Sequence, residues 1–289
     1  MDDLNRYMDY LRFERRVSEH TIMAYANDLQ QFADFCQKDS MLSLCSVSTE
    51  GIREWVISLM EENLSTRSVN RKISALKSFY RYHLKLGTIQ QNPMTRVHAP
   101  KMSKRLPVFV AEPQMEVLFT AELFPHDFAG QRDRAIMELF YATGMRLSEL
   151  INIKGNDLDF EGSNSMVKVL GKRNKERVIP ISDIATEAIL NYLDFRNRVF
   201  PTLNKNDYLF VTDKGEQMYP KAVYRIVRKY LDAITTIDKR SPHVLRHTFA
   251  THLLSHGAPL NDIKEILGHA NLAATQVYTH TSIEKIKFI

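Results

Sequence analysis

Six residues of this chain carry side chains suited to breaking and remaking a phosphodiester. His243 and Arg246 sit three apart in Ser-Pro-His-Val-Leu-Arg-His, and His269 follows in Leu-Gly-His. Tyr278 comes nine residues later, in Thr-Gln-Val-Tyr-Thr-His. Upstream lies Arg146, in Gly-Met-Arg-Leu-Ser-Glu-Leu, with Glu149 three residues on. Lys172 falls between the two groups, in a polar stretch from Gly171 to Arg177. Guanidinium and imidazole groups can bind the phosphate oxygens, and a phenol can attack the phosphorus.

Each group alone is a weak signal. Pro242 favours the first turn of a helix, which would place His243 and Arg246 on one face near its N-terminus, a ready anion site. Leu245, Phe249 and Leu253 would dock that helix through a separate stripe. Arg146 follows Thr143-Gly144 at a break between helical stretches, where a cation at a helix start is mildly unfavourable; Glu149 could orient it. Lys172 stands at the tip of a candidate hairpin that Gly171 lets turn tightly. Tyr278 is one of twelve tyrosines, but its neighbours Thr275, Gln276 and Thr279 are polar, which is odd for a purely buried aromatic. His243, His247, His252 and His256 raise the possibility of a metal. No Glu lies inside either i,i+4 pair as in His-Glu-x-x-His, and Arg246 inside the first pair would repel a cation. No metal or cofactor is expected. Phosphate-binding glycine loops, Gly-x-Ser-x-Gly and an acidic two-metal cluster are also missing from the sequence.

The elements that must position these groups divide the 289 residues into two parts. Hydrophobic residues at 44% and charged residues at 25% are the balance of a globular chain, and no apolar run is long enough to cross a membrane. Asp2 and Asp3 replace the basic start of a signal peptide, and two cysteines build no disulfide framework, so a cytoplasmic protein is expected. Residues 1–64 hold 6 Lys and Arg against 12 Asp and Glu, whereas residues 65–105 hold 10 Lys and Arg and no acid. Such blocks suggest a polyanion-binding surface.

Amphipathic periodicity predicts three or four helices in residues 1–90. One follows Ser18 and turns Ile22, Tyr25, Leu29, Phe32 and Phe35 to one side. Another starts near Thr49 and buries Ile52, Val56 and Leu59. A third runs from about Thr66 to Leu86 and stops at Gly87. At 100° per residue, its Arg67, Arg71, Lys77, Arg81 and Lys85 share roughly a third of the circumference. Val69, Ile73, Leu76, Phe79, Tyr80 and Leu84 take the other side. The cationic stripe is a candidate contact to a phosphate backbone. Residues 91–107, with Pro93, Pro100 and Pro107, read as an extended linker whose Lys101, Lys104 and Arg105 would follow the same polyanion. In residues 108–289 a helix is predicted over Gln131–Ala142, a hairpin from Met166–Leu170 and Arg177–Ile181, and helices again from about Ile184. The expected fold is mainly α with a small antiparallel β-sheet.

The combination of Arg146, Lys172, His243-x-x-Arg246, His269 and Tyr278 resembles the catalytic set of the tyrosine site-specific recombinases, the phage integrase family, and most of all its Xer-type members. Ser18-Glu-His-Thr21 with Tyr25 and Asp28-Leu29, and Asn70-Arg71-Lys72 through Phe79-Tyr80, are similar to that family's N-terminal helices, so the resemblance spans nearly the whole chain. It implies a SAM-like helical DNA-binding domain before a catalytic domain. It also implies attack by Tyr278 on a DNA phosphate, giving a 3′-phosphotyrosyl intermediate. Arg146 and Arg246 would stabilise the charge, Lys172 would protonate the leaving 5′-oxygen, and His243 and His269 would handle the tyrosine proton or the phosphate. Glu149 would support Arg146. The same bond types stand before and after, so neither ATP nor a nuclease metal is implied. The implied partners are double-stranded DNA and identical or related subunits, as a tetramer on two sites. Arg173 stands where the family often has a small residue. Eleven residues follow Tyr278, where relatives carry a longer tail that docks on a neighbouring subunit. A silent architectural DNA-binding protein and a tyrosine topoisomerase are the rival readings.

Overall fold

The computed structural model describes residues 2–37, 43–102, 107–120, 122–161, 165–171, 175–268 and Thr275. The chain forms two compact units, Met1–Lys104 and Arg105–Ile289, each with its own apolar core.

The first unit is helical. α1 (Asp2–Asp9) continues into a wider turn, Tyr10–Glu14, before α2 (Glu19–Gln37), α3 (Thr49–Glu61) and α4 (Thr66–Lys85). Ser48 and Ser65 cap α3 and α4, each hydroxyl accepting from the backbone N–H three residues on. Gly87 closes α4 with φ +72°, a region open to glycine at little cost. Leu29, Phe32, Ile52, Val69, Ile73, Leu76, Phe79 and Tyr80 fill the core as the periodicity predicts. Leu84 does not: it is 40% exposed. The core also draws in Met94 and Val97, so the start of the predicted linker packs onto this unit. Asn70 fixes its later part by donating to the Pro100 carbonyl at 3.0 Å.

α4 also buries a cation. Lys72 lies among apolar residues and donates to Asp28 Oδ1 at 3.0 Å and to Gln31. Asp28, itself buried, accepts from Arg71 as well. A buried carboxylate needs such partners, because stranding it costs several kcal/mol, on the order of 3–5.

The second unit is built around α6 (Phe128–Thr143), whose Ala135, Ile136, Met137, Leu139 and Phe140 are wholly buried. Around it stand α5 (Glu112–Thr120), the single turn α7 (Leu147–Leu150), α8 (Asp183–Val199), α9 (Pro220–Ile234), α10 (Pro242–Ser255) and α11 (Leu260–Leu267). β1 (Leu158–Asp159), β2 (Met166–Leu170) and β3 (Glu176–Pro180) form one antiparallel sheet in that order. Lys168 faces Val178 across the ladder, and Leu170 faces Glu176. Val167, Val169 and Ile179 turn inward, and the alternation sends Met166, Lys168 and Leu170 outward. No helix among the described residues is long and apolar enough to cross a membrane.

Candidate active site

Gly144 ends α6 in the left-handed region, φ +57°, and a Cβ there would sit 2.3 Å from the Phe249 ring. This turn lets the chain reverse at once into Arg146, the N-cap of α7. Glu149 stands at the third position of α7, and its Oε2 accepts from the Arg146 backbone N–H at 2.7 Å. Its Oε1 accepts from Arg146 Nη1 at 2.9 Å. One carboxylate therefore caps the helix and orients the guanidinium. Arg146 Nη2 goes on to the carbonyl of Gly268, at 3.2 Å.

Arg246 approaches the same place from α10. It is buried, and it donates to Gly144 O and to Leu267 O, both at 2.7 Å. Leu245 and Phe249 dock this helix, as the predicted stripe requires. His243, in the first turn of α10, keeps an open edge to solvent. Desolvation against the protein wall, then the charges of Arg246 and Arg146, hold its pKa below the usual histidine value. His247 is held lower still, at about 4, by burial and then by His243 and Arg246. Both rings are thus neutral at pH 7.

Glu149 is buried, which alone would raise its pKa. Hydrogen bonds from Arg177 and Arg146 outweigh that and keep it below the ordinary carboxylate range. The site is therefore a turn, a helix start and a helix end held together by guanidinium groups around one ionised carboxylate.

The phage integrase family model matches residues 109–285, and the model of the family's N-terminal SAM-like domain matches residues 4–87. The chain belongs to the phage integrase family, as a Xer-like tyrosine recombinase. The tyrosine recombinase XerC of Oceanobacillus iheyensis is 36% identical over 286 residues, covering 98% of this chain and 93% of the relative. That of Bacillus subtilis is 36% identical over 283 residues, covering 97% and 92%. In fold the recombinase is similar to XerH in a post-cleavage complex with palindromic difH, with a TM-score of 0.81 at 22% identity over 98% of this chain and 83% of that one.

The structure brings Arg146, Glu149, His243 and Arg246 of the recombinase together. Lys172, His269 and Tyr278 lie outside the described residues, as do Lys104 and Arg105. On the first unit Arg67, Arg81, Lys85 and Lys101 are exposed and Lys77 is half-buried. Among the described residues Arg67, Lys77, Arg81 and Lys85 make no ion pair. Arg71 differs, donating to Asp28 and to the Ala24 carbonyl.

Sequence reasoning missed Arg177, whose Nη1 and Nη2 reach Glu149 Oε1 and Oε2 at 3.0 and 2.8 Å. The signal was present. Arg177 and Ile179 share the inward face of β3 while Glu176 and Val178 face out, and a cation on an inward face needs a buried anion. Of the four histidines considered for a metal, His252 has both ring nitrogens engaged, with the Tyr141 hydroxyl at 2.9 Å and the Val110 carbonyl at 3.0 Å. Elsewhere among the described residues, Asp3, Cys45 and His83 bring a carboxylate, a thiol and an imidazole within 4.8 Å of one another. The Cys45 thiol donates to Asp3, and burial with the Asp3 charge pushes its pKa up to about 11, so the thiol is neutral at pH 7.

Proposed function

We propose that this recombinase cuts and rejoins DNA at specific sites through Tyr278. The phenol oxygen attacks a phosphorus, the bond to the 5′-oxygen breaks, and a 3′-phosphotyrosyl link forms. Lys172 gives the leaving oxygen its proton. The 5′-hydroxyl of a partner strand then attacks the link and releases Tyr278. An aligned general acid contributes on the order of 10²–10⁴-fold in rate. Arg146 and Arg246 stabilise the extra negative charge on the non-bridging oxygens. His243, kept neutral, accepts the phenol proton, and His269 positions the phosphate.

The observation that carries this reading is the meeting of Arg146 and Arg246 at one helix end, with a neutral His243 inside the field of both. These three supply two fixed charges and one proton acceptor. XerH, similar in fold, is bound to DNA in its complex with palindromic difH. We take the partners here to be double-stranded DNA and identical or related subunits, four on two sites. Given relatives named XerC, the role that fits is resolution of chromosome dimers in the cytoplasm.

The test is covalent trapping on nicked duplex DNA that the protein selects from a random pool. A denaturation-resistant adduct is expected from the wild type and none from Tyr278→Phe, with DNA binding intact. Tight binding without an adduct would favour the architectural reading. Relaxation of one supercoiled circle without exchange between two sites would favour a topoisomerase.

A further inference from the structure

The last carbonyls of an α-helix lack intrahelical partners and carry partial negative charge. At the end of α11, the last two helical carbonyls and that of the capping residue Gly268 each accept from a different arginine. Gly268 O takes Arg146, Leu267 O takes Arg246, and Ile266 O takes Arg177 Nε at 2.7 Å. The first two arginines belong to the proposed phosphate site. The third does not, yet it alone also grips Glu149 through both of its terminal nitrogens.

Glu149 Oε1 therefore serves Arg146 Nη1 and Arg177 Nη1, while Oε2 serves the Arg146 backbone and Arg177 Nη2. Among the described residues, the one cation left to Glu149 with Arg177 absent would be Arg146. The Arg146 guanidinium would be drawn further into the ion pair and away from a phosphate. The Arg177 guanidinium is also closely packed by backbone on two sides. A Cβ at Gly268 would lie 3.2 Å from its Nη1, and one at Gly171 would lie 3.3 Å from the same atom. Gly171 immediately precedes Lys172, and Gly268 immediately precedes His269.

We propose that Arg177 is a positioning residue of the recombination reaction. It fixes Glu149, and through it Arg146, to the end of α11, and it holds β3, the strand that follows Lys172 in the chain, against the same point. It leaves Arg146 an edge free for the scissile phosphate. Lysine cannot replace it, because one ammonium does not form a two-pronged bond to a carboxylate while also reaching Ile266 O. The proposal rests on Arg146 being a phosphate ligand, and the experiment separates the two ideas.

Single-turnover cleavage is measured on the selected nicked duplex, made once with an ordinary scissile phosphate and once with a methylphosphonate there. The methyl group removes the charge that Arg146 would meet. Arg177→Met should bind DNA as the wild type does and cleave the phosphate about 10²-fold more slowly, the scale expected for a misplaced charged group. On the methylphosphonate that deficit should largely vanish, as it should for Arg146→Ala. Arg177→Lys should fall between, and gives the same ratio if the methionine variant folds poorly. An equal deficit on both substrates, or none on either, would overturn the positioning role while Arg146→Ala still shows its rescue. Failure of Arg146→Ala to be rescued would overturn the phosphate assignment itself, and the proposal with it.

Discussion

His243 can accept a proton only while neutral, and its surroundings decide over what pH range that holds. Desolvation, Arg246 and Arg146 all disfavour the imidazolium, so the pKa lies below its ordinary 6.5. The neutral form is the one present above the pKa, and lowering the pKa therefore extends the competent range toward acid. In the free enzyme, the ring titration followed by NMR should have its midpoint below pH 6.5 and should move upward in Arg146→Ala, which removes one of the opposing charges. The acid limb of kcat/KM for cleavage reports the same free-enzyme group and should fall in the same range. A midpoint at or above 6.5 that ignores Arg146 would remove His243 as the base. Arg246 illustrates why residue types alone do not describe such a site. The sequence offers a cation three residues after a histidine, but only the fold places Gly144 O and Leu267 O around its guanidinium.

At the scale of elements, α4 and α6 hold the two clearest consequences of burial. The predicted cationic stripe of α4 is not uniform. Arg67 and Arg81 are exposed and make no ion pair among the described residues, and each should remove about one unit from the salt dependence of DNA binding when changed to alanine. Arg71 is engaged by Asp28 and Ala24 O, so Arg71→Ala should flatten the slope less and lower the melting temperature instead. Equal slopes for all three variants would contradict this division. α6 buries Glu138, whose pKa rises to about 7 because burial outweighs the nearby Arg134. The unfolded chain ionises this carboxyl near 4.5, so the folded state binds a proton that the unfolded state has lost between those values. Its contribution to stability is fully present below pH 4.5 and is lost as the pH rises to about 7, by roughly 3 kcal/mol at 1.4 per unit. Glu138→Gln should therefore raise the melting temperature more at pH 8 than at pH 5, and an equal gain at both would reject the shifted carboxyl. The helices themselves were legible because α2, α3 and α4 alternate apolar and polar residues over many turns. β1 was not, since two residues show no period. Lys72 was not either, because a cation beside Arg71 reads as surface until Asp28 and Gln31 are brought to it from α2.

At the scale of the molecule, two cores within one chain imply that two activities can be separated. Tyr7, Phe32, Trp55 and Phe79 close the core of residues 1–104, and α6 with α8 and α10 closes that of residues 105–289. The charge distribution divides in the same way, with the acid-free run of residues 65–105 reaching from α4 to the end of the first unit. The residues proposed for the chemistry, from Arg146 to Tyr278, all belong to the second. Order along the chain made this division legible before any geometry, whereas the convergence of Arg146, Arg177 and Arg246 on α11 was not, because it joins positions up to 122 residues apart. If each unit supplies its own contacts to DNA, tethering makes the second contact intramolecular and raises overall affinity by about 10²–10⁴-fold. A fragment of residues 105–289 should therefore still form the Tyr278 adduct on the nicked duplex, but need roughly that much more protein to do so. A fragment of residues 1–104 should bind DNA weakly, with strong dependence on salt, and form no adduct. Supplying the two as separate chains should not restore the affinity of the intact protein. A 105–289 fragment that binds as tightly as the whole chain would deny the first unit its part in DNA binding. One that binds but never forms the adduct would place part of the reaction's machinery in the first unit.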